Sequence, residues 1–594
     1  MFKRCGFIIL FSLAFIFKVY AEELDLEKIV VSKESIHLAR GYALRSQQLE
    51  DLPFDSPIEA LASLPMDLQS RSPKGAIQTD FSLRGSSFQG VLVLFQGQRI
   101  NDPQTAHHNA DIQITKEDVQ RVEVLPGVSS AIFGPDSIGG VVNFILKKPE
   151  KRNIVLQSSG GQFKTWSGLF SATERLGSLG ARLSVENQES AGFYTDTDFK
   201  KLTTSLNSVL ELPDGEYNLS FGYQEKEFGA YDFYTPGMGY QSKEWTKTYL
   251  LNTGLSLGKS DLLIKPNLLW RRHYDKFMLD KTLVRSRYLN HTRTDMLTPN
   301  IYLQKEFSSI GRLGLGIEYG QETMNSVFLG KHDRTHKSIF LDESKEFNDR
   351  LSLGLSFRAD DYSDTDTAFT GSLSAKFKLS DIHGLRFGVS RSTRVPSFTE
   401  LYYSDPTTVG NPGLADEISL NHQIGYDYKK DSISFSSTVF CRQEEDLIDW
   451  VKSSPSQARW QAQNIGEDKV FGIENQLKVD INELFSLESN YTFIDRYSNN
   501  QGYLYKYGPN YARHLANSEL LIKLPFGTQS VGFTYKKKPV RDGWFLLNAH
   551  LSYNLNKYSS LFLNATNLCN VEYQEIEGIP SPGRWVEGGF RLEW

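Results

Sequence analysis

The chain has 594 residues, with 65 Lys and Arg against 71 Asp and Glu, a net charge of −6 that gives no footing to a nucleic-acid partner. With 38 Phe, 28 Tyr, 46 Gly and a mean hydropathy of −0.39, it holds no apolar run after its leader long enough for a membrane helix. A secreted chain of this kind is either soluble or a membrane β-barrel, whose signal is hidden because only alternate residues face lipid.

The first 21 residues, "MFKRCGFIILFSLAFIFKVYA", read as a secretory leader. Lys3 and Arg4 precede an apolar stretch too short to span a bilayer, and Val19-Tyr20-Ala21 forms a small-residue cleavage site. Removal of Cys5 with the leader leaves Cys441 and Cys569, so no disulfide framework is implied. Residues 22–49 then form a linker. Within it lies "EKIVVSKE": Glu27, Lys28, Ile29, Val30, Val31, Ser32, Lys33 and Glu34. It is a short β-branched segment bracketed by charge, with no local strand to pair with. Such a segment pairs with the sheet edge of something else.

Residues 50–149 read as a small α+β unit. "SPIEALASLP" is a short helix with Ser56 as cap, Pro57 in the first turn and Pro65 as stop. "VLVLFQGQRIND" is a hairpin turning at Gln96-Gly97, and "DVQRVEVLPGVSSAIFGPDSIGGVVNFIL" supplies two more strands.

From residue 150 to 594 the period becomes two. Tyr217, Leu219, Phe221 and Tyr223 share a face, as do Leu385, Phe387 and Val389, and as do Ile433, Phe435, Val439 and Cys441. Short turns such as "PDG", "KKD" and "PFGT" alternate with long aromatic-rich stretches such as "EKEFGAYDFYTPGMGYQSKEWTK". Short turns on one side and long loops on the other describe an outer-membrane barrel, and the turn pattern gives roughly 22 strands. Phe590, Leu592 and Trp594 alternate to the last residue, as a closing strand should. The expected fold is therefore an all-β membrane protein: an antiparallel transmembrane β-barrel of about 22 strands with an N-terminal α+β plug domain inside its lumen.

"FSLRGSSFQGVLVLFQGQRIND" and "VQRVEVLPGVSSAIFGPDSIGGVVNFILKK" resemble the plug of the TonB-dependent outer-membrane receptors. Arg84, Gly85, Arg121, Glu123, Gly134, Gly139, Gly140 and Asn143 match that plug motif. Gln96 departs from it where Asp is usual, and Pro126 and Val128 depart nearby. "TRVPSFTELYYSDPTTVGNPGLADEIS", "NIGEDKVFGIE" and the closing "YQEIEGIPSPGRWVEGGFRLEW" are similar to the barrel half of the same family. The resemblance makes Glu27–Glu34 a TonB box and implies gated uptake driven by TonB and its inner-membrane energising complex. It implies a bacterial outer-membrane location, contact with outer-membrane lipid and a small-molecule substrate, a corrinoid or a metal chelate. It implies no enzymatic activity, and no G-x-S-x-G, His-Glu-x-x-His or P-loop stands against that.

Length, plug and C-terminal ending look most like the vitamin B12 receptor subgroup. Asn101, Asp102, His107, His108 and Asn109 are expected on a plug loop facing the substrate. No cofactor is required; the one ion to which the resemblance points is calcium in the extracellular loops, with Asp196, Asp198 and Asp232 as oxygen ligands. Turn chemistry is the competing use of those aspartates. Haem is disfavoured, because no His lies between Arg394 and Leu414. The alternative within the class is a ferric-siderophore receptor. The alternative outside it, a passive porin or adhesin, leaves plug and box without a purpose.

Overall fold

A computed structural model describes residues 41–259, 261–283, 289–498, 502–506 and 510–594. The Glu27–Glu34 segment lies outside the described residues. The plug begins with strand β1 (Tyr42–Arg45) and two short helices, α1 (Ser46–Asp51) and α2 (Pro57–Ala60). Then come β2 (Asp67–Ser72), β3 (Gln78–Ser82), β4 (Val91–Phe95), β5 (Gln98–Arg99), β6 (Val119–Pro126) and β7 (Gly140–Leu146). One sheet runs β1-β6-β7-β4-β5, and β2 with β3 forms a separate ribbon. Residues ahead of position 50 thus already belong to the plug sheet, because β1 pairs with β6, Tyr42 opposite Val124 and Arg45 opposite Arg121.

"VLVLF" is apolar throughout because both faces of β4 are covered. Val91, Val93 and Phe95 join the main core with Val122, Val142 and Phe144. Leu92 and Leu94 meet Leu125 and Val141 on the other face. A strand buried on both sides reads as a continuous run rather than an alternation. The turn after it has positive φ at Gln96 (52°) and Gly97 (82°), the geometry of a two-residue hairpin whose first position favours Asn or Asp. Gln96 fills that position and accepts the Leu146 amide at 3.2 Å, joining the turn to β7.

The barrel is a closed antiparallel ring of 22 strands. It opens with β8 (Asn153–Gly161), β9 (Trp166–Leu176), β10 (Leu179–Ser190), β11 (Phe199–Leu212), β12 (Gly215–Gly229), β13 (Lys243–Lys259) and β14 (Leu262–Met278). Its last strand, Trp585–Glu593, pairs back onto β8, with Ser158 opposite Phe590 and Leu156 opposite Leu592. Closure removes every unpaired edge, which a structure in hydrocarbon requires. The alternation falls as the pattern predicts. In His383–Arg394 the side chains of Phe387 and Val389 are exposed on the lipid side, while Arg386 and Ser390 are buried toward the lumen. Cys441 lies on the outward phase of its strand, next to Val439 and away from buried Phe440 and Arg442.

Candidate functional site: the plug seam and the outer loops

The plug is held in the lumen mainly by polar contacts. Arg84, itself at φ 50°, reaches the wall with its whole guanidinium. Nε and Nη2 donate to Glu474 Oε2 at 3.0 and 2.6 Å, and Nη1 donates to Gln423 Oε1 at 2.8 Å. The group also lies 4.4 Å from the Phe440 ring centre. Tyr42 Oη donates to the same Glu474 oxygen at 3.2 Å, and Arg496 donates to the Gly85 carbonyl at 3.1 Å. Elsewhere on the seam Lys536 meets Asp67 at 2.9 Å, and Arg591 meets Glu117 at 2.9 Å. Polar contacts of this kind are exchangeable for water at modest net cost, so such a plug is firmly placed and still displaceable.

The other plug-motif residues hold the plug itself together. Arg121 Nε donates to Glu123 at 2.8 Å, and Glu123 accepts Asn143 Nδ2 at 3.1 Å. Asn143 Oδ1 then accepts the Gly97 amide at 3.0 Å. One chain of bonds thus links β6, β7 and the hairpin turn, and it satisfies a carboxylate that is fully buried. Gly134 has φ 97°, and an added Cβ there would lie 2.8 Å from Arg358 Nε. Gly140 lies against the Leu125 carbonyl, and a Cβ on Gly139 would lie 2.3 Å from Ser86 Oγ and 2.8 Å from the Leu83 carbonyl. Gly139→Val is therefore expected to destabilise the plug by roughly 1–3 kcal/mol, the usual cost of overpacking. Limited proteolysis of the purified receptor measures this as faster cleavage between residues 42 and 146 with the barrel intact.

The loop carrying Asn101, Asp102, His107, His108 and Asn109 differs from expectation. It is a brace against the wall rather than a surface offered to the lumen. Asn101 accepts the Val93 amide at 2.7 Å and donates to the Val91 carbonyl at 3.1 Å. Asn109 accepts the Asp102 amide at 2.9 Å. The Asp102 carboxylate receives Arg271 at 2.5 Å and Thr294 at 3.0 Å, both from barrel strands. His107 Nδ1 is 2.8 Å from Asp80, and its ring stacks on Phe88 with centres 4.5 Å apart. Burial draws the His107 imidazole below its ordinary pKa. Asp80, although burial opposes it, is held well below the usual carboxylate range by His107 and Arg71. His107 and His108 occupy a 3-10 turn, Ala106–His108, and point to different partners. Buried polar groups need such partners; those of Asp102 lie 169 and 192 residues away in sequence, on the barrel.

The loop aspartates are engaged in loop structure. Asp232, at φ 55°, accepts the amides of Gly237, Gly239 and Tyr240 at 3.1, 2.9 and 2.9 Å. Asp196 pairs with Lys281. The backbone carbonyls of Asp196 and Asp198 accept the Tyr231 and Gly229 amides. Among the described residues, the three clusters of ligating side chains that converge lie elsewhere, and none includes Asp196, Asp198 or Asp232.

Above the lumen, three long loops build a roof. Thr408–Val409, Trp460–Asn464, Ile448–Lys452 and Leu504–Tyr505 form a four-stranded sheet over a core of Phe398, Leu401, Leu414 and Trp450. The "TRVPSFTELYY" stretch positions it. Ser397 caps the helix α3 (Phe398–Tyr402), and buried Arg394 bonds Glu400 at 2.8 Å and Glu417 at 2.6 Å. Tyr402 remains partly exposed and stacks on His332, with ring centres 3.6 Å apart.

Two cavities follow the plug along one side of the barrel. One of about 320 Å3 lies at the short-turn end, between Asp51, Lys116 and Glu117 of the plug and His550, Asn554 and Arg591 of the wall. The other, of about 120 Å3, lies nearer the loops, between Met66, Lys74 and Thr79 and Lys536, Tyr573 and Trp585. Between them Lys74 pairs with Asp55, and with Glu587 of the last strand at 2.6 Å. Burial alone lowers a lysine pKa; here Asp55 and Glu587 reverse this and hold Lys74 charged.

Ring, lumen plug and polar seam define a gated outer-membrane receptor. Residues 154–568 match the family described as "TonB dependent receptor-like, beta-barrel", and residues 40–141 match the "TonB-dependent Receptor Plug Domain". The chain belongs to the TonB-dependent receptors of the bacterial outer membrane, a family of receptors and transporters that act with TonB on small-molecule substrates. It is 23% identical over 474 residues to the vitamin B12 transporter BtuB of Vibrio vulnificus, covering 74% of this chain and 73% of the relative. It is 24% identical over 495 residues to the iron-regulated outer membrane virulence protein of Vibrio cholerae, covering 75% and 74%. The siderophore receptor PirA of Pseudomonas aeruginosa shares its fold, with a TM-score of 0.74 at 16% identity over 95% of this chain and 100% of that one.

Proposed function

We propose that this receptor imports a corrinoid of the cobalamin class, with Glu27–Glu34 as the TonB box that couples it to the inner membrane. The observation behind the substrate reading is that several outer-loop cations among the described residues are paired within the protein. Arg334 is bonded to Asp364 at 2.8 Å, Arg541 to Glu577 at 3.1 Å and Arg513 to Asp495 at 3.0 Å, and Lys281 is bonded to Asp196. A ferric catecholate carries several negative charges and calls for a surplus of unpaired cations, whereas a corrinoid is a large, nearly neutral body. A relative named as a vitamin B12 transporter supports the same reading. The stacked His332–Tyr402 pair and half-buried Tyr403 and Trp460 favour a siderophore as the second reading, together with the iron-regulated relative.

In this reading substrate settles between the roof and the plug, and TonB then draws on the box. Lys74, Asp55 and Glu587 part, and the two cavities join into a route beside the plug. Equilibrium binding of cyanocobalamin to the purified receptor in detergent tests the substrate, with ferric enterobactin as competitor. Saturable binding that the siderophore does not displace is expected. Binding of ferric enterobactin alone overturns the corrinoid reading and leaves the transport class standing.

A further inference from the structure

We propose that the seam between the plug loop and the loop-side ends of β13 and β14 is a resident site for a divalent cation of the zinc class. His108 and Asp111 come from the plug; His273 and Asp275 come from β14, and Glu244 comes from β13. Ligand atoms of His108, Asp111 and His273 lie within 4.8 Å of one another, as do those of His108, Glu244 and Asp275. His108 is common to both triads but faces Asp111 with Nδ1 and Asp275 with Nε2, so one ion would take one triad with the other around it; the His108 ring centre is 4.3 Å from that of His273. His108 Nδ1 is 3.9 Å from Asp111 Oδ2, and its Nε2 is 3.9 Å from Asp275 Oδ2. All five residues are buried.

The pairs that face one another here are too far apart for hydrogen bonds. Asp111 Oδ2, His273 Nε2 and Asp275 Oδ1 are buried without a hydrogen-bond partner. Buried polar atoms in a native protein rarely stay unsatisfied, and three in one cluster call for a common guest. Hydrogen bonds from outside the cluster steady the set. His273 Nδ1 is 2.8 Å from Thr248 Oγ1, Tyr234 donates to Glu244 Oε2 at 2.9 Å, and Gln104 donates to Asp275 Oδ2 at 3.4 Å. Outer partners of this kind orient the ligands of metal sites.

The charges point the same way. Lys226 is bonded to Asp111 Oδ1 and to the Ile77 carbonyl, and nearby Arg271 is committed to Asp102. Three carboxylates thus stand near one ammonium, so a doubly charged cation would balance them once all three are ionised and the imidazoles neutral. Left uncompensated, such charge is costly in a buried site. Two imidazoles with carboxylates suit zinc and its neighbours, whereas calcium takes oxygen ligands throughout. A similar grouping a few strands further round the wall, Glu318, His336 and Asp360, already holds a cation: Arg358 lies 2.7 Å from both carboxylates. The ion at the first cluster would tie the plug loop to the wall across the domain boundary, so its loss would loosen the plug locally.

The test uses the full-length receptor in detergent, stripped with chelator, reloaded with Zn2+ and freed of excess metal. Bound zinc is counted by mass spectrometry, and heat-modifiable gel migration verifies the folded barrel in every sample. About one equivalent per chain is expected, lost in His108→Gln/His273→Gln and kept in His336→Gln. Co2+ added to the unaltered stripped receptor should give visible ligand-field bands of nitrogen–oxygen coordination, a readout independent of any variant. An unaltered receptor that retains no zinc and shows no such bands overturns the proposal, as does a double variant that keeps its equivalent.

Discussion

Deletion of residues 27–34 is expected to abolish energised uptake and leave surface binding unchanged. The reason lies in what a pull at that point reaches first. β1 is only four residues long, and among the described residues it sits at the edge of the plug sheet with β6 as its one sheet partner. Only four pairs, from Tyr42–Val124 to Arg45–Arg121, hold it there, so little strand pairing resists traction from the N-terminal side. Once β1 leaves, Tyr42 no longer donates to Glu474, and one contact of the Arg84 clasp is gone. With Glu27–Glu34 as the proposed box, its deletion takes away the handle and leaves the roof and outer plug surface untouched. Labelled substrate bound to cells at low temperature, compared with substrate accumulated on warming, separates the two steps. Accumulation at the normal rate in the deletion strain refutes the assignment of the box.

Arg84→Ala carries the second large effect. It leaves Glu474 buried without its charge partner, a situation that costs about 3–5 kcal/mol, and it also removes the bond to Gln423 and the packing on Phe440. The loss falls on the plug seat, so the expected phenotype is leakage: cells become sensitive to bulky antibiotics that the outer membrane normally excludes. Replacing both partners, Arg84→Met with Glu474→Met, removes the orphan carboxylate and should restore most of the barrier. Equal leakage in single and double variants would mean that the clasp acts through its specific hydrogen bonds.

Much of this architecture was legible in one sequence. Period two and short turns specify the strands, because a membrane strand must put one face in hydrocarbon and turn quickly at the periplasmic side. The plug motif was legible as well, and its physical content is now visible: Glu123 and Asn143 close a buried hydrogen-bond chain, and Gly139 leaves room for Ser86. The functions of the polar loops were not legible. Asp102 looks available in sequence, but its partners Arg271 and Thr294 come from barrel strands that only closure brings near. Asp232 caps its own loop through a positive-φ turn that local pattern alone does not reveal. His273 and Asp275 carried a signal that went unread. In "RRHYDKF", Arg271, His273 and Asp275 alternate, so one face of that strand is strongly polar where a neighbouring domain must meet it.

The pairing of β8 with Trp585–Glu593 also sets the order of assembly. One edge of β8 is satisfied only by Trp585–Glu593, far away in sequence, so the ring has open edges until these two strands meet. Contacts between the ends of a sequence form slowly, and unpaired edges invite wrong partners meanwhile. The plug is made first, yet it reaches its final seat only when the last strand seals the wall around it. The exchangeable hydrophilic contacts that let it shift during transport also let it wait hydrated beside an unfinished barrel.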